Sequence, residues 1–268
     1  MDTYYERKIT CDRIRFCLTD KAGVDEREIH SYHEILLYLK GDMELFTADG
    51  RRPLEEASIL IIPKETYHFL KPLSTPRFRR LKISFPEGTL AQTPLSRLMQ
   101  GFKLLCAPSE EIRGICEKLC AAVSSEGESA PFYAYAAFLS LIAALDMQAL
   151  GAAAEPRVPP SAQMAKAAAY VAQNLGGDLN VKALAAALHV SPSGITHLFK
   201  KEFGIPIHKY VLQKRLVHAK HLIEKGELLT TIYADLGFRD YSSFYKAYCN
   251  YFGHAPSKDK RKKDEPTS

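Results

Sequence analysis

The strongest constraint on the fold is a pattern that occurs twice in the last third of the chain: a short apolar helix, a tight turn and a second helix. The first copy runs from Leu184 to Gly204 and the second from Ile232 to Gly253. In each copy the second helix has basic and hydroxyl residues opposite its apolar stripe. This is the pattern of a helix-turn-helix unit, whose second helix enters the DNA major groove. Together with apolar helical periodicity over residues 163–175, the two copies predict an all-α DNA-binding domain over residues 162–268.

Capping residues predict where the helices of this domain begin and end. Ser191 suits a helix start because its side chain accepts a hydrogen bond from a free backbone N–H, and Pro192 fits the first helical position. Gly204 ends that helix, and Pro206 opens a longer one that runs to about Lys225. About twenty residues at ~1.5 Å each give a length of ~30 Å, close to the ~34 Å of one DNA turn. The long helix therefore predicts two recognition helices in successive major grooves on one side of the duplex.

Polar residues on the two second helices are the candidate DNA contacts. Hydroxyl, imidazole and amine groups hydrogen-bond to base edges, while lysines and helix amide ends hold phosphates. In the first copy the candidates are Ser193, Thr196 and His197 at bases, and Lys200 and Lys201 at phosphates. In the second copy they are Ser242, Ser243, Tyr245 and Lys246. Double-stranded DNA is the predicted partner.

Charge divides the chain into two unequal parts. From Ala162 to Ser268, 16 lysines and arginines face 9 acidic residues, whereas the preceding residues carry 20 against 22. Without the five cations of residues 258–263, the C-terminal part still has a positive net charge. A basic domain joined to a faintly acidic one indicates that only one end of the chain binds a polyanion.

Composition indicates a globular cytoplasmic protein of two domains. An apolar share of 46% and a charged share of 25% in 268 residues are typical of folded domains. The six cysteines lack CxxC spacing, which favours a reducing compartment over a disulfide framework. No leader pattern precedes Ile29, and the apolar stretch near residues 132–150 is interrupted by Ser140, Asp146 and Gln148. We therefore expect a buried helix there and no membrane association.

Residues 1–90 have the pattern of short β-strands. The apolar runs Glu34–Leu39, Met43–Thr47, Ser58–Ile62 and Phe78–Phe85 predict strands, and Asp49-Gly50 predicts a hairpin turn. Many short strands separated by turns favour an antiparallel β-barrel or jelly roll.

Residues 94–150 change to helical periodicity. Apolar spacing predicts a helical face over Ser96–Cys106, and Ser109 suits the cap of a helix with one apolar stripe. A third helix from Pro131 to about Leu150 is apolar almost all round, so we expect it to be buried on more than one side. Cys116 and Cys120, one turn apart on the stripe, favour core packing over a thiol sensor. The predicted domains are residues 1–150, a proline-containing linker at 151–161, and residues 162–268.

The residues from His30 to Glu34, followed by Gly41, Pro63 and His68, resemble the metal-binding motifs of the small cupin barrel. That resemblance implies a domain with a cupin-like antiparallel β-barrel in which these polar side chains meet at one end. Glu28 stands where cupin enzymes have their first histidine, and this departure favours a polar ligand pocket over a metal site. No metal or cofactor is therefore predicted. The candidate ligand-binding residues, which suit a sugar or small acid with help from Tyr67, are Glu28, His30, Tyr32, Glu34, Tyr38, His68 and Arg79.

Residues of the C-terminal domain resemble the AraC/XylS family of transcription regulators over about a hundred positions without a gap. The resemblance is carried by the segments Leu184-Ala185, His189-Val190-Ser191, Leu198–Gly204, Gly237–Asp240, Ser243-Phe244 and Phe252-Gly253. It implies a cytoplasmic regulator, usually an activator, that responds to a small metabolite such as a sugar and contacts RNA polymerase. It also implies a homodimer, for which the helices of residues 109–150 are the expected interface.

Three residues in the second copy depart from the family pattern. Tyr233 replaces a small alanine, Cys249 replaces a basic phosphate contact, and Asp259 replaces the aromatic residue that anchors the last helix. We therefore expect the first copy to dominate DNA recognition and the second to bind weakly or with relaxed specificity.

Two alternatives remain open from the sequence. One is a metal-dependent cupin enzyme with a nucleic-acid-binding appendage, which uses Glu28, His30, Glu34 and His68. The other is a constitutive DNA-binding dimer without an effector. The sequence contains no nucleophile–base pair and no phosphate loop, so a non-enzymatic regulator is the preferred interpretation.

Overall fold

The computed structural model describes residues 5–20, 29–73, 78–148, 158–176 and 179–260. Within these ranges, an N-terminal domain of antiparallel sheets with helices precedes an entirely helical C-terminal domain. The predicted two-domain α+β architecture is confirmed. Most of the predicted linker, residues 151–157, lies outside the described ranges.

The N-terminal domain is built on two antiparallel sheets. One has six strands in the order β1-β2-β8-β3-β6-β9, and the other has three in the order β5-β4-β7. The strands are β1 (Glu6–Cys11), β2 (Ile14–Thr19), β3 (His33–Lys40), β4 (Met43–Thr47), β5 (Gly50–Leu54), β6 (Ser58–Ile62), β7 (His68–Pro72), β8 (Arg79–Phe85) and β9 (Lys103–Leu105). The predicted Asp49-Gly50 turn joins β4 to β5, and Gly50 provides the positive φ of +132° that the turn uses.

Alternation along the strands gives each sheet two buried faces. On β3, Leu36 and Tyr38 join residues of the smaller sheet in the interior between the sheets. Ile35 and Leu37, with their side chains on the other face, pack in a second cluster with the N-terminal helices. Because both faces are covered, β3 is apolar at nearly every position, and a polar residue on it requires a specific reason.

The helices of the N-terminal domain correct two sequence predictions. The structure has α1 (Leu95–Leu98), α2 (Glu110–Ser124) and α3 (Ala130–Met147). The predicted helix over Ser96–Cys106 is wrong beyond Leu98, because Gly101 has a φ of +152° and residues 103–105 pair with β6 instead. Ser109 caps α2 as predicted, accepting a hydrogen bond from the backbone N–H of Ile112.

Helix α3 is less buried than its composition predicts. Its buried face, which includes Phe138 and Leu141, packs in the core with α2 and the larger sheet, but Phe132, Tyr133 and Met147 are 65%, 60% and 86% exposed. Within the described ranges α3 alone is long and apolar enough to cross a membrane by length and composition, with 39% of its length buried in the protein. Core helices of this composition meet the same criterion.

The C-terminal domain consists of helices that begin where the sequence predicts. They are α4 (Ala162–Gln173), α5 (Val181–Ala187), α6 (Pro192–Phe203), α7 (Ile207–Glu224), α8 (Leu229–Asp235) and α9 (Tyr241–Phe252), followed by a 3₁₀ turn (Pro256–Asp259). Ser191 caps α6 by accepting from the N–H of Gly194, and Asp240 caps α9 by accepting from the N–H of Ser243. The two copies of the pattern are therefore α5–α6 and α8–α9, joined by α7.

The two domains pack against each other through one apolar cluster. Phe46 and Phe69, on the outer face of the smaller sheet, are buried together with Phe203 and Tyr210 of the C-terminal domain. At Gly204, a Cβ would lie 2.4 Å from the Phe69 ring, so only glycine fits this approach. The N-terminal domain thus contacts the C-terminal end of α6.

Candidate nucleic-acid interface and polar site

Helix α6 presents most of its predicted contact residues to solvent. Ile195, Phe199 and Phe203 are buried on one side, because they recur at helical spacing and fill the domain core. Ser193, His197, Lys200 and Lys201 are exposed on the remainder of the surface. Thr196 is half-buried, and its hydroxyl donates to the carbonyl of Pro192 at 2.8 Å. Docking of the N-terminal domain at Phe203 and Gly204 leaves the N-terminal half of α6 open.

Helix α9 also exposes its predicted residues, although two are already hydrogen-bonded. Phe244 and Tyr248 form the buried stripe, while Ser242, Ser243, Tyr245 and Lys246 are exposed. The Ser243 hydroxyl donates to the capping carboxylate of Asp240 at 3.0 Å. Interaction with Cys249, one turn further along α9, raises the pKa of Tyr245.

Asp259 anchors the end of the described chain with a charged network where the sequence pattern led us to expect an aromatic residue. Its carboxylate accepts from the Tyr248 hydroxyl at 2.6 Å, lies 2.9 Å from Lys220 Nζ of α7, and lies 2.7 Å from His254 Nε2. Burial opposes ionisation of Asp259, but the hydrogen bonds from Tyr248, Lys220 and His254 hold its pKa below the ordinary value. The substitution therefore retains an anchor between α7, α9 and the 3₁₀ turn.

Tyr233, the second departure, is accommodated at the edge of the second copy. It is half-buried, and its ring meets Tyr241 edge to face with a centroid distance of 6.0 Å. Ile232 on the same helix and Leu236, the residue just after it, remain buried. The α8–α9 unit therefore keeps an apolar core despite the larger side chain.

In the N-terminal domain, the side chains of His30, Glu34 and His68 converge in the interior. One potential ligand atom from each lies within 4.8 Å of the others, and all three residues are buried. Glu34 Oε2 lies 3.4 Å from His30 Nε2, and Glu34 Oε1 lies 3.8 Å from His68 Nε2. Glu34 begins the inward-facing row that continues with Leu36 and Tyr38, while His68 faces inward between Tyr67 and Phe69, which face outward. The predicted convergence of these three residues is present.

The charge states of this cluster are set by its burial. Burial lowers the pKa of His68 to about 4, assisted by the charge of His30, so this imidazole is neutral near pH 7. Burial alone would raise the pKa of Glu34, but Lys82 and the two histidines hold it well below its ordinary range. The cluster therefore combines a carboxylate with at least one neutral imidazole.

The structure distributes the other predicted ligand residues among different places. Tyr32 stacks on His30, with ring centroids 3.9 Å apart, and belongs to the same site. Tyr38 is four residues from Glu34, or ~13 Å along a strand, and Arg79 is exposed beside Asp20. Tyr38 and Arg79 instead line a cavity of about 370 Å³ next to α2. Glu28 lies outside the described residues, and Tyr67 faces the C-terminal domain.

A polar cleft of about 630 Å³ lies between the two domains. Arg13, Arg15 and Tyr32 line it on the N-terminal side, and His221 and Lys258 line it on the C-terminal side. Two lysines that line the cleft are paired with carboxylates: Lys64 with Glu87 at 2.6 Å, and Lys220 with Asp259 at 2.9 Å. Tyr32 connects this cleft to the buried cluster, because its ring covers His30.

Sequence reasoning missed the polar contacts that join the domains. The Tyr67 hydroxyl donates to the carbonyl of Phe203, and the Tyr251 hydroxyl donates to the carbonyl of Ile29. Tyr67 and Ile29 are the chain neighbours of His68 and His30. Since these partners are 136 and 222 positions apart, no local pattern in the sequence points to them.

Comparisons with known proteins identify both domains. One family model, described as an AraC-like ligand binding domain, matches residues 14–142, and another, described as a helix-turn-helix domain, matches residues 184–262. The Msm operon regulatory protein of Streptococcus mutans is 37% identical over 84 residues, which are 31% of this chain and 30% of that protein. Regulatory protein PocR of Salmonella typhimurium is 32% identical over 91 residues, which are 34% of this chain and 30% of that protein.

Solved structures similar to this chain include the C-terminal domain of AraT, a response regulator from Geobacillus stearothermophilus. It is 25% identical, covers 41% of this chain and 93% of its own, and has a TM-score of 0.38. ToxT from Vibrio cholerae is 14% identical, covers 93% of this chain and 97% of its own, and has a TM-score of 0.41. The segment shared with the two curated regulators is about a third of their length. With an AraC-like ligand binding domain followed by a helix-turn-helix domain, the chain belongs to the AraC family of transcription regulators.

Proposed function

We propose that this chain is a sequence-specific DNA-binding transcription regulator, acting in the cytoplasm and without catalytic activity. The observation that carries the proposal is the surface of α6, where Ser193, His197, Lys200 and Lys201 are exposed together while the opposite side is buried. A helix fixed by its apolar side and exposing polar and basic groups is suited to the major groove. The exposed face of α9 provides a second such surface.

In this proposal the two kinds of side chain have different roles. Ser193, Thr196 and His197 read base edges, because hydroxyl and imidazole groups distinguish the hydrogen-bonding patterns of base pairs. Lys200 and Lys201 hold phosphates, which adds affinity without sequence preference. Ser242, Ser243, Tyr245 and Lys246 contribute in the same way from α9, with Ser243 and Tyr245 restricted by their existing hydrogen bonds.

Selection of duplexes from a random pool tests this function directly. The full chain at modest salt should enrich one sequence, and Lys200→Glu should abolish the enrichment by placing a negative charge against a phosphate. Lys40→Glu, at an exposed position at the end of β3 in the N-terminal domain, is the matched control and should enrich the same sequence as wild type. A folded wild-type protein that enriches nothing would exclude the proposed function.

We further propose that a small polar metabolite, such as a sugar or an organic acid, binds in the interdomain cleft and controls the regulator. The volume of the cleft, about 630 Å³, lies within the usual range of ligand pockets, roughly 300–1,000 Å³. A ligand there would contact both domains, so its binding would alter how firmly the C-terminal domain is held.

A metabolite panel should contain a compound that raises the melting temperature of the protein, because a ligand that binds the native state stabilises it. Arg13→Ala with Arg15→Ala should reduce that rise, whereas Arg113→Ala on α2 should not.

We also propose that the chain forms a homodimer through α2 and α3. The active dimer would contact RNA polymerase, usually as an activator. Support for the dimer comes from Phe132 and Tyr133, two large aromatic side chains exposed side by side on α3. Phe132→Ser with Tyr133→Ser should convert a dimer to a monomer in sedimentation equilibrium. Leu228→Ser, at an equally exposed apolar position of the C-terminal domain, should leave the dimer intact.

A further inference from the structure

We propose that Tyr241 and Tyr245, which form an aromatic patch on α9, read the C5-methyl groups of thymine in the DNA major groove. This role rests on the proposed function of α9 as the second recognition helix, and it specifies which chemical group that helix recognises. Both rings lie on the surface of the helix, with exposed fractions of 41% and 40%. Tyr241 is a contact that the sequence pattern did not predict.

The capping residues allow α6 and α9 to be compared position by position. Ser191 caps α6 and Asp240 caps α9, and each accepts a hydrogen bond from the backbone N–H three residues later. Both helices then have 12 residues and end at a glycine with a φ of +77°. Equal numbers of residues after the cap therefore identify equivalent positions on the two helices.

One side of the helix differs in chemistry between the two copies. The first, fifth and ninth positions after the cap are one turn apart and share a side of each helix. At these positions α6 has Pro192, Thr196 and Lys200, whereas α9 has Tyr241, Tyr245 and Cys249. The α9 side thus has aromatic surface and no cation where α6 has a lysine. In its 12 residues α9 has one lysine, compared with two in α6.

The rings of the aromatic patch are supported by their neighbours. Tyr233 of α8 meets Tyr241 edge to face with a centroid distance of 6.0 Å, and the Tyr241 and Tyr245 centroids are 6.1 Å apart. A side chain that is already held in place loses less conformational entropy when it binds. Tyr233, which departs from the family pattern, thereby supports the first ring of the patch.

The thymine methyl group is the apolar feature that the major groove presents, and apolar side chains recognise it by contact. An exposed aromatic ring on a recognition helix matches this group better than it matches a phosphate, which requires a cation or a hydrogen-bond donor. Ser242 and Lys246, the next residue after each ring, are exposed and supply polar groups beside the patch. The α9 surface therefore combines methyl recognition with a few hydrogen bonds.

The alternative occupant of the aromatic patch is another protein, because tyrosine is also enriched at protein interfaces. DNA is favoured by the position of the patch. Both rings lie in the N-terminal half of the second helix of a helix-turn-helix unit, the part that contacts base edges. The two occupants differ in a measurable way, because removal of methyl groups from DNA does not affect a protein interface.

The test uses the full chain and the duplex that it selects from a random pool. Uracil replaces thymine in one half of the duplex at a time, which removes the C5-methyl groups and leaves every hydrogen-bonding group in place. One half should lose affinity for the wild type by about fourfold per contacted methyl group. Tyr241→Ser with Tyr245→Ser should abolish that loss. This double variant should keep the wild-type slope of log affinity against log salt, since neither ring neutralises a phosphate.

Two control variants isolate the role of the rings. Tyr241→Phe with Tyr245→Phe keeps the rings and removes the hydroxyl groups, so it should show the same loss of affinity on uracil replacement as wild type. Tyr5→Ser removes a tyrosine of similar exposure, 38%, from the N-terminal domain and should bind both duplexes as wild type does.

Each outcome decides the role of the aromatic patch. A uracil-dependent loss that occurs in the wild type and the phenylalanine variant, and is absent from a serine variant that circular dichroism shows to be folded, supports it. If the double serine variant does not fold, Tyr245→Ser alone decides. Wild-type affinity that is unchanged by uracil in both halves, or losses that persist in the folded serine variant, overturn the role. A loss that also disappears in the phenylalanine variant assigns recognition to the hydroxyl groups and overturns it as well.

Failure of methyl recognition is distinguishable from failure of the proposed function. A chain that selects one duplex but binds it equally well with uracil is a sequence-specific DNA-binding protein without methyl recognition by α9. A folded chain that selects no duplex excludes both.

Discussion

Ser193, Thr196 and His197 occupy neighbouring positions near the N-terminal end of α6 but differ in their freedom to contact DNA. His197 is exposed, whereas the half-buried Thr196 already donates its proton to Pro192 and retains only its acceptor lone pairs and its methyl group. Lys200 is one turn beyond Thr196 and is exposed. Under the proposed function, we therefore expect base reading to depend mainly on His197 and Ser193, with Lys200 at the DNA backbone.

Thr196→Ala combined with His197→Ala should reduce discrimination between target and random DNA more than it reduces binding to random DNA. Each lost base contact lowers target affinity by roughly 1–3 kcal/mol, while phosphate contacts are unchanged. Lys200→Ala is the comparison: it should weaken both kinds of binding alike and lower the slope of log affinity against log salt by ~1. Fluorescence anisotropy at several salt concentrations measures both effects. Equal losses on target and random DNA for the double variant would remove these two residues from base reading.

The carboxylate of Asp259 is a second residue with a measurable role. Its pKa in the folded chain is lower than in the unfolded chain because Tyr248, Lys220 and His254 stabilise the charged form. The stability it contributes is therefore fully present above the unfolded pKa, ~3.9, and is lost as pH falls through the lower folded value.

Asp259→Asn should lower the free energy of unfolding by roughly 1–3 kcal/mol at pH 7, the range for a buried group that loses a charged partner. The difference from wild type should shrink as the pH falls below ~4, because the wild-type carboxyl then loses its charge as well. Urea denaturation at a series of pH values measures this. Asp235→Asn, at an exposed position on α8, is the control and should have little effect. A difference that stayed constant down to pH 2 would contradict the charged network.

Single residues also mark the limit of prediction from sequence. His30, Glu34 and His68 were selected from their spacing, and the structure brings them together because all three face the interior of the same domain. Tyr38 and Arg79 were selected for their chemistry alone, and they lie elsewhere. Spacing along a strand predicts the face of a residue, whereas side-chain chemistry by itself does not predict its position.

The helices of the C-terminal domain could be predicted with nearly correct ends because their limits are set by local chemistry. Ser191 and Asp240 are capping side chains, and Gly204 and Gly253 end α6 and α9 with the same φ of +77°. The short strand β9 could not be predicted, since its partner β6 is about forty residues away. The exposure of Phe132 and Tyr133 could not be predicted either, because the composition of an apolar helix does not indicate which of its faces is buried.

The two helix-ending glycines form a natural pair for a test of domain docking. Gly253 has open space around its Cα, so Gly253→Ala should cost only the left-handed backbone strain of about 1–2 kcal/mol. Gly204→Ala adds the same strain and places a methyl group 2.4 Å from the Phe69 ring of the N-terminal domain. We expect a loss of stability for Gly204→Ala that exceeds the Gly253→Ala loss by at least ~1 kcal/mol, as for an overpacked core. Equal losses in urea denaturation would show that the domains do not pack in this way in solution.

In the molecule as a whole, the polar cluster lies directly behind the surface of the N-terminal domain that contacts the DNA-binding domain. His30 and His68 face inward, while their chain neighbours Ile29 and Tyr67 contact the C-terminal domain through hydrogen bonds with Tyr251 and Phe203. The interdomain cleft opens beside Tyr32, on the same side. Under the proposed function, a ligand bound in the cleft would therefore contact both domains.

Helix α7 sets the distance between the two proposed recognition helices, α6 and α9. Its 18 residues make a rod ~27 Å long, somewhat shorter than the ~34 Å of one turn of B-DNA. Lys220 on α7 is tied to Asp259, which holds the α8–α9 unit to the rod. If both helices read bases, as proposed, a rod of fixed length permits only one spacing between the two groups of bases that they contact.

The most direct test of this account compares the affinity of the full chain for two duplexes. One is the selected duplex, and the other is the same duplex with five extra base pairs between the two groups of contacted bases. Five base pairs rotate one group by about half a turn, since a full turn is ~10–10.5 base pairs, and place it on the far side of the duplex. We predict at least tenfold weaker binding to the extended duplex. Equal affinity for the two duplexes would contradict the claim that a rigid α7 positions both helices on one face of DNA.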